Sequence, residues 1–120
     1  MKYQADFWQK IRNIVDEHEI VIDRKKGSVH PRRKDIVYPL DYGYLSDTTS
    51  MDGSGIDVWI GSSSEAKITG IMCTIDSFKK DSEIKIIMNC TESEIEIVND
   101  FLNSRDGMKA IFIQNNSNVF

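Results

Sequence analysis

Residues 38–60 read YPLDYGYLSDTTSMDGSGIDVWI. Tyr38, Tyr42 and Tyr44 crowd around Gly43, and Pro39 fixes one backbone angle just ahead of them. Asp52-Gly53-Ser54-Gly55 follows as an acidic loop whose glycines permit positive φ. Asp57 then opens the apolar run Val58-Trp59-Ile60. The pattern is a strand, a tight aromatic turn, an acidic loop and a second strand. Asp52 and Asp57 stand five residues apart and bracket a glycine turn, so their carboxylates can converge on one hard cation. Oxygen donors on a bent loop suit magnesium, whose octahedron phosphate oxygens and water complete. The same spacing equally suits a hairpin in which both Asp residues only support the turn.

Upstream, Ile20-Val21-Ile22 is a short strand. Residues 5–18 have helical spacing, with Phe7, Ile11, Ile14 and Val15 on the apolar side and Trp8 beside them. Between that strand and Tyr38 lies the basic part of the chain: Arg24, Lys25, Lys26, His30, Arg32, Arg33 and Lys34. An arginine here, Arg33 or Arg32, has the fork for bidentate phosphate contact; a solvated charged loop accounts for the composition as well. His30 beside Pro31 is a turn residue with no partner at metal-ligand spacing.

Downstream, 61–65 is a plain turn, and an apolar strand runs from Ile68 to Ile75 and ends at Asp76. After the polar loop 77–82, Glu83 to Met88 alternates. Glu83 and Lys85 fall on one face and Ile84, Ile86 and Met88 on the other. Thr91-x-x-Glu94 is a capping box that opens a helix over 92–104, and a last strand follows at 110–113. The Asn-rich end, 114–120, reads as frayed.

The totals set limits. The 120 residues suit one domain, with 40% apolar and 28% charged residues, the balance of an ordinary globule. A net charge of −4 argues against nucleic acid as the main partner, and no apolar run is long enough to span a membrane. The start, Met-Lys-Tyr-Gln-Ala-Asp, has no apolar signal region, which points to a cytoplasmic protein. Cys73 and Cys90, in no metal or redox spacing, read as small buried thiols.

The segment YPLDYGYL followed by DGSGIDV resembles the core of the soluble family I inorganic pyrophosphatases. That family carries Tyr-Pro-x-x-Tyr-Gly-Tyr and then Asp-Gly-Asp-Pro-x-Asp at the same separation. The match is ungapped from Tyr38 to about Ile60 and continues loosely to about Met88. The resemblance implies a mainly β fold with terminal helices, a small OB-like five-stranded barrel over about 20–88. Strands are then expected at 20–22, 36–38, 56–60, 67–76, 83–88 and 110–113. It implies magnesium-dependent hydrolysis of pyrophosphate by a metal-activated water. Asp52, Asp57, Asp76 and Glu83 are the implied metal ligands, with Asp81 competing for the place of Glu83 and Asp23 matching a metal-water carboxylate. Asp57 and Tyr42 are the implied catalytic groups, and Arg33, Tyr38, Tyr42 and Lys85 the implied substrate-binding groups. The implied partner is a small phosphate-containing substrate, and a homo-oligomer is compatible with the family.

Three features depart from the family pattern. Ser54 replaces the Asp that orients or deprotonates the attacking water, and Gly55 replaces the following proline. The segment that supplies an early phosphate-binding lysine is compressed. The late Tyr-Lys pair that grips the second phosphate has no counterpart. Two further readings therefore stand beside the first: a catalytically impaired phosphate-ligand binding module on the same scaffold, and a hydrolase of another phosphoanhydride such as a nucleotide.

Overall fold

Alternating side chains sort this chain into two apolar layers on opposite faces of one sheet. The structure, a computed structural model, describes residues 2–120. Its elements in chain order are α1 (Gln4–Glu17), β1 (Ile20–Arg24), β2 (Asp41–Leu45), β3 (Asp57–Ile60), β4 (Ile68–Asp76), β5 (Asp81–Met88), α2 (Glu92–Asn103) and β6 (Met108–Gln114). The six strands make one sheet in the order β1-β2-β3-β5-β4-β6. All pairs are antiparallel except β3 with β5, which run parallel.

The mainly β architecture with a helix near each end is present, but the five-stranded barrel is not. The sheet is open and has six strands, with β1 and β6 at its edges. The difference arises at the Tyr-Gly-Tyr segment. Asp41–Leu45, expected to turn, is a strand hydrogen-bonded on both sides, with Gly43 opposite Ile22 on β1 and Val58 on β3. A methyl group at Gly43 would run into the backbone carbonyl of Val21, so only glycine allows this approach. The strand expected at 36–38 reduces to a single bridge, Val29 with Val37. Pro39, which has no N–H, stops that ladder from growing.

One face carries α1. Trp8, Ile11 and Val15 pack on Leu45, Val58, Ile68, Ile71, Ile86 and Met88. The buried stripe is thus centred on Trp8, and Phe7 stays 42% exposed. The other face carries α2, whose Val98 and Leu102 pack on Trp59, Met72, Ile87 and Ala110. Thr91 and Glu94 form the expected capping box, with the Thr91 N–H donating to Glu94 Oε1 at 2.9 Å and the Glu94 N–H to Thr91 Oγ1 at 3.3 Å. Cys90 is buried and Cys73 half-buried, both as free thiols. The end of the chain is not frayed. Asn115 Nδ2 donates to the Ile68 and Val119 carbonyls, Val119 packs into the α1 core, and Arg12 donates to the Phe120 carbonyl at 2.7 Å. No helix among the described residues is long and apolar enough to cross a membrane.

Gly43→Ala is expected to lower stability by about 1–3 kcal/mol, the usual cost of forcing an extra carbon into a packed site. Urea unfolding followed by the fluorescence of Trp8 and Trp59 measures it, and an unchanged midpoint would disprove the close strand approach.

Candidate active site

The face under α2 is apolar at one end and charged at the other. Tyr42 faces Trp59 across β2 and β3, and Tyr44 faces Asp57. On β4 and β5, Met72 faces Lys85 and Thr74 faces Glu83. The parallel register, which pairs Val58 with Ile86 and Trp59 with Ile87, brings Asp57 level with Lys85. Period-two alternation therefore puts Tyr42, Tyr44, Asp57, Thr74, Glu83 and Lys85 on one surface. They line a cleft of about 570 Å³, and Asp23, Asp52, Ser54, Lys79, Asp81 and Arg105 line it with them.

Lys85 sits at the centre. Its side chain is 8% exposed, and its Nζ donates to Asp57 Oδ2 at 2.7 Å, Tyr42 Oη at 3.1 Å and Glu83 Oε2 at 3.4 Å. Burial works against the ammonium, but the oxygens of Tyr42, Asp57 and Glu83 outweigh it and hold its pKa above the ordinary lysine value. Burial raises the Tyr42 phenol, so it is protonated at neutral pH. Its ring is locked in place, 4.4 Å from Trp59 and 5.7 Å from Tyr38 between centroids. Glu83 is pushed up to about 7, first by burial; Lys85 pulls the other way, and Asp57 and Asp52 add to the rise. One ammonium does not balance these carboxylates.

Asp52 is held differently. Its Oδ1 accepts from the Ser54 N–H at 2.9 Å and the Ser50 hydroxyl at 2.8 Å, and these contacts lower its pKa. Gly53 takes φ +82 in the same turn. Gly55 lies against the Leu45 carbonyl and the Tyr44 ring with no space for a side chain.

The structure thus brings together Asp52, Asp57, Glu83, Lys85 and Tyr42 from the expected residues, together with the alternatives Asp23 and Asp81. It places three others elsewhere. Asp76 is buried, and its Oδ1 caps the turn after β4 by accepting from the N–H groups of Phe78 and Lys79. Tyr38 is buried in the aromatic cluster with Tyr42, Trp59 and Phe101. Arg33 is exposed, paired with Asp35 at 3.2 Å, and lines an adjoining hollow instead of the cleft. The sequence reading missed Lys79 and Arg105. Lys79 stands in a polar hairpin turn and Arg105 just after α2, and neither position carries a periodic or motif signal.

Among the described residues, no three His, Cys, Asp or Glu side chains lie close enough to enclose a metal ion as they stand. Lys85 Nζ holds the middle of the carboxylate group. The donor chemistry still suits a hard divalent cation, because the available ligands are carboxylate oxygens with negative charge to spare.

Comparison with solved structures places this architecture. The chain superposes on an inorganic pyrophosphatase from Helicobacter pylori with a TM-score of 0.57 at 15% identity, covering 81% of this chain and 83% of that one. It superposes on one from Neisseria gonorrhoeae at 0.58 and 18% identity, covering 75% and 77%. The fold is that of the inorganic pyrophosphatases. A third enzyme of that name, from Thermus thermophilus, gives 0.53 at 19% identity and 78% of both chains. No family model matches the sequence, and no curated protein does. The likeness is one of fold, at identities of 15–19%.

Glu83 gives the cleft a pH signature. Its folded-state pKa lies above the ordinary value of 4.5, so its proton stabilises the folded chain fully below that value, and the contribution is lost as pH rises through about 7. The melting temperature is expected to fall between about pH 5 and pH 8, and Glu83→Gln should flatten that slope. Parallel melts of the two proteins with identical slopes would show that Glu83 is not under this strain.

Proposed function

We propose that this chain hydrolyses inorganic pyrophosphate with magnesium bound at Asp52, Asp57 and Glu83. The observation that carries the reading is that these three carboxylates line one cleft with Lys85, Tyr42, Lys79 and Arg105, in a fold like that of the pyrophosphatases. Bound magnesium would draw charge from the phosphoryl oxygens and acidify a coordinated water. The chain's own residues supply the rest. Lys79 and Arg105 meet phosphate charge at the cleft wall, Arg105 with a fork suited to two oxygens. Lys85 offers a fixed ammonium among the carboxylates. The protonated phenol of Tyr42 is able to donate to the oxygen of the leaving phosphate. Asp57, hydrogen-bonded to Lys85, keeps one carboxylate oxygen in a fixed position beside both groups. Asp76 shapes the turn that carries Lys79, and so acts on the site through position.

A second reading, a phosphate-ligand binding module without turnover, is favoured by Ser54. Its hydroxyl cannot serve as a base at neutral pH, and it stands in the place of the family's water-orienting carboxylate.

Phosphate release from pyrophosphate at millimolar magnesium separates the two. Turnover is expected in the natural protein and should fall by about a hundredfold or more in Asp57→Asn. Magnesium should also raise the melting temperature of the natural protein more at pH 8 than at pH 5, because the carboxylates compete with protons for it. A silent natural protein that gains turnover in Ser54→Asp would establish the binding module instead. No response to magnesium in either assay would remove the metal from the reading.

A further inference from the structure

The cleft does not end at its cations. Lys79, Arg105 and Met108 also line a second hollow of about 670 Å³, so the two spaces adjoin across these residues. The hollow extends to Phe78, Phe101, Arg33 and Val37. Both spaces lie on the α2 face, since Thr74, Asp76 and Met108 share that side of β4 and β6. A ligand spanning both would have the carboxylates at one end, the two cations in its middle and the hollow at the other.

The far end has an aromatic platform. Phe78 is 75% exposed, and its ring nevertheless rests against the backbone of Gly107, where a side chain would collide with it. The Ser77 N–H donates to the Gly107 carbonyl at 2.9 Å and pins the two loops together. The ring is thus supported on one side and open to solvent. Arg105 is braced as well, with its guanidinium 5.4 Å from the Phe101 ring centroid. Neither Lys79 nor Arg105 makes a side-chain ion pair among the described residues. Two free cations beside a supported aromatic ring, with Arg33, Asp35 and Asp106 as hydrogen-bonding groups, suit a polyphosphate joined to a flat polar ring system.

We propose that the site accepts a nucleoside diphosphate, its phosphates at Lys79 and Arg105 and its base on Phe78. This rests on the phosphoanhydride reading of the cleft and extends it to a larger substrate. Cleavage would be the same reaction: a water oxygen bonds to the terminal phosphorus, and the bridging oxygen leaves with the nucleoside monophosphate. The released proton passes to solvent. Inorganic pyrophosphate held at Lys79 and Arg105 has no group to place on Phe78. Arg33, which lies outside the cleft, comes within reach of a ligand only in this extended mode.

Calorimetric titration of the full chain with two non-hydrolysable ligands in magnesium buffer tests the proposal. These are methylenediphosphonate and α,β-methylene-ADP. The nucleotide analogue should bind about tenfold more tightly, the usual gain from stacking one base on an aromatic ring. Phe78→Ala should erase that gain and leave methylenediphosphonate binding unchanged; Phe78→Tyr should restore it. Equal affinity for the two ligands, or indifference to Phe78→Ala, would overturn the proposal while the phosphate site stood. Binding of the nucleotide analogue that depends on Phe78, in a protein that does not cleave pyrophosphate, would leave this proposal standing and remove the pyrophosphatase reading. Failure to bind either ligand would overturn both.

Discussion

The buried ammonium of Lys85 is the contact on which the charged half of this structure depends. Asp57 and Glu83 sit on different strands and point into the same partly dry space, where two carboxylates repel unless a cation stands between them. Lys85 is that cation, and the Tyr42 hydroxyl accepts its third hydrogen bond. Removing one partner of a buried charge group leaves the others without compensation, a far larger loss than deleting an exposed pair. The lysine therefore allows the acids to be held in advance of any ligand. It is a fixed group of the fold as much as of the site.

That arrangement is possible because one sheet face changes character along its length. Near α2 the face carries Trp59, Met72, Ile87 and Ala110, which bury each other. Toward the cleft the same alternation presents Thr74, Glu83, Lys85 and Asp57. The aromatic stack of Tyr38, Tyr42 and Trp59 lies at the border, dry on one side and ending in the Tyr42 hydroxyl on the other. Packing in the core thus fixes a polar atom beside Lys85. Gly43 contributes without touching the site, because its missing side chain lets β1 and β2 close up and hold Tyr42 and Tyr44 at their stations.

The departures from the family pattern have physical companions in the structure. Gly55 stands where a side chain would strike the Leu45 carbonyl and Tyr44, so the loop's path here requires glycine. The late Tyr-Lys pair is absent, but Arg105 follows α2 and reaches the cleft, and Lys79 joins it from the turn after β4. The cleft thus carries positive charge from two loops outside residues 38–60. Ser54 has no such replacement on the acidic loop.

Much of the candidate cleft's lining was legible in the chain. The alternation of Glu83, Lys85 and the intervening isoleucines, the capping box at Thr91 and Glu94, and the acidic loop at 52–57 are local patterns. Local rules of strand period and helix capping determine them. The open six-stranded sheet was not legible, because Tyr-Gly-Tyr reads as a turn until β1 and β3 close on both sides of it. Nor was the separation of Asp76, Tyr38 and Arg33 from the cleft. Each carries the right chemistry, and only the path of the backbone decides whether a carboxylate caps a turn or faces a ligand. Lys79 and Arg105 show the converse, since they meet through the pairing of two loops distant in sequence, on which no periodicity acts. The sequence by itself determined which side chains share a strand face, because that depends on a repeat of two residues. Tertiary structure alone decided which of those faces meet, because that depends on contacts between segments far apart in the chain.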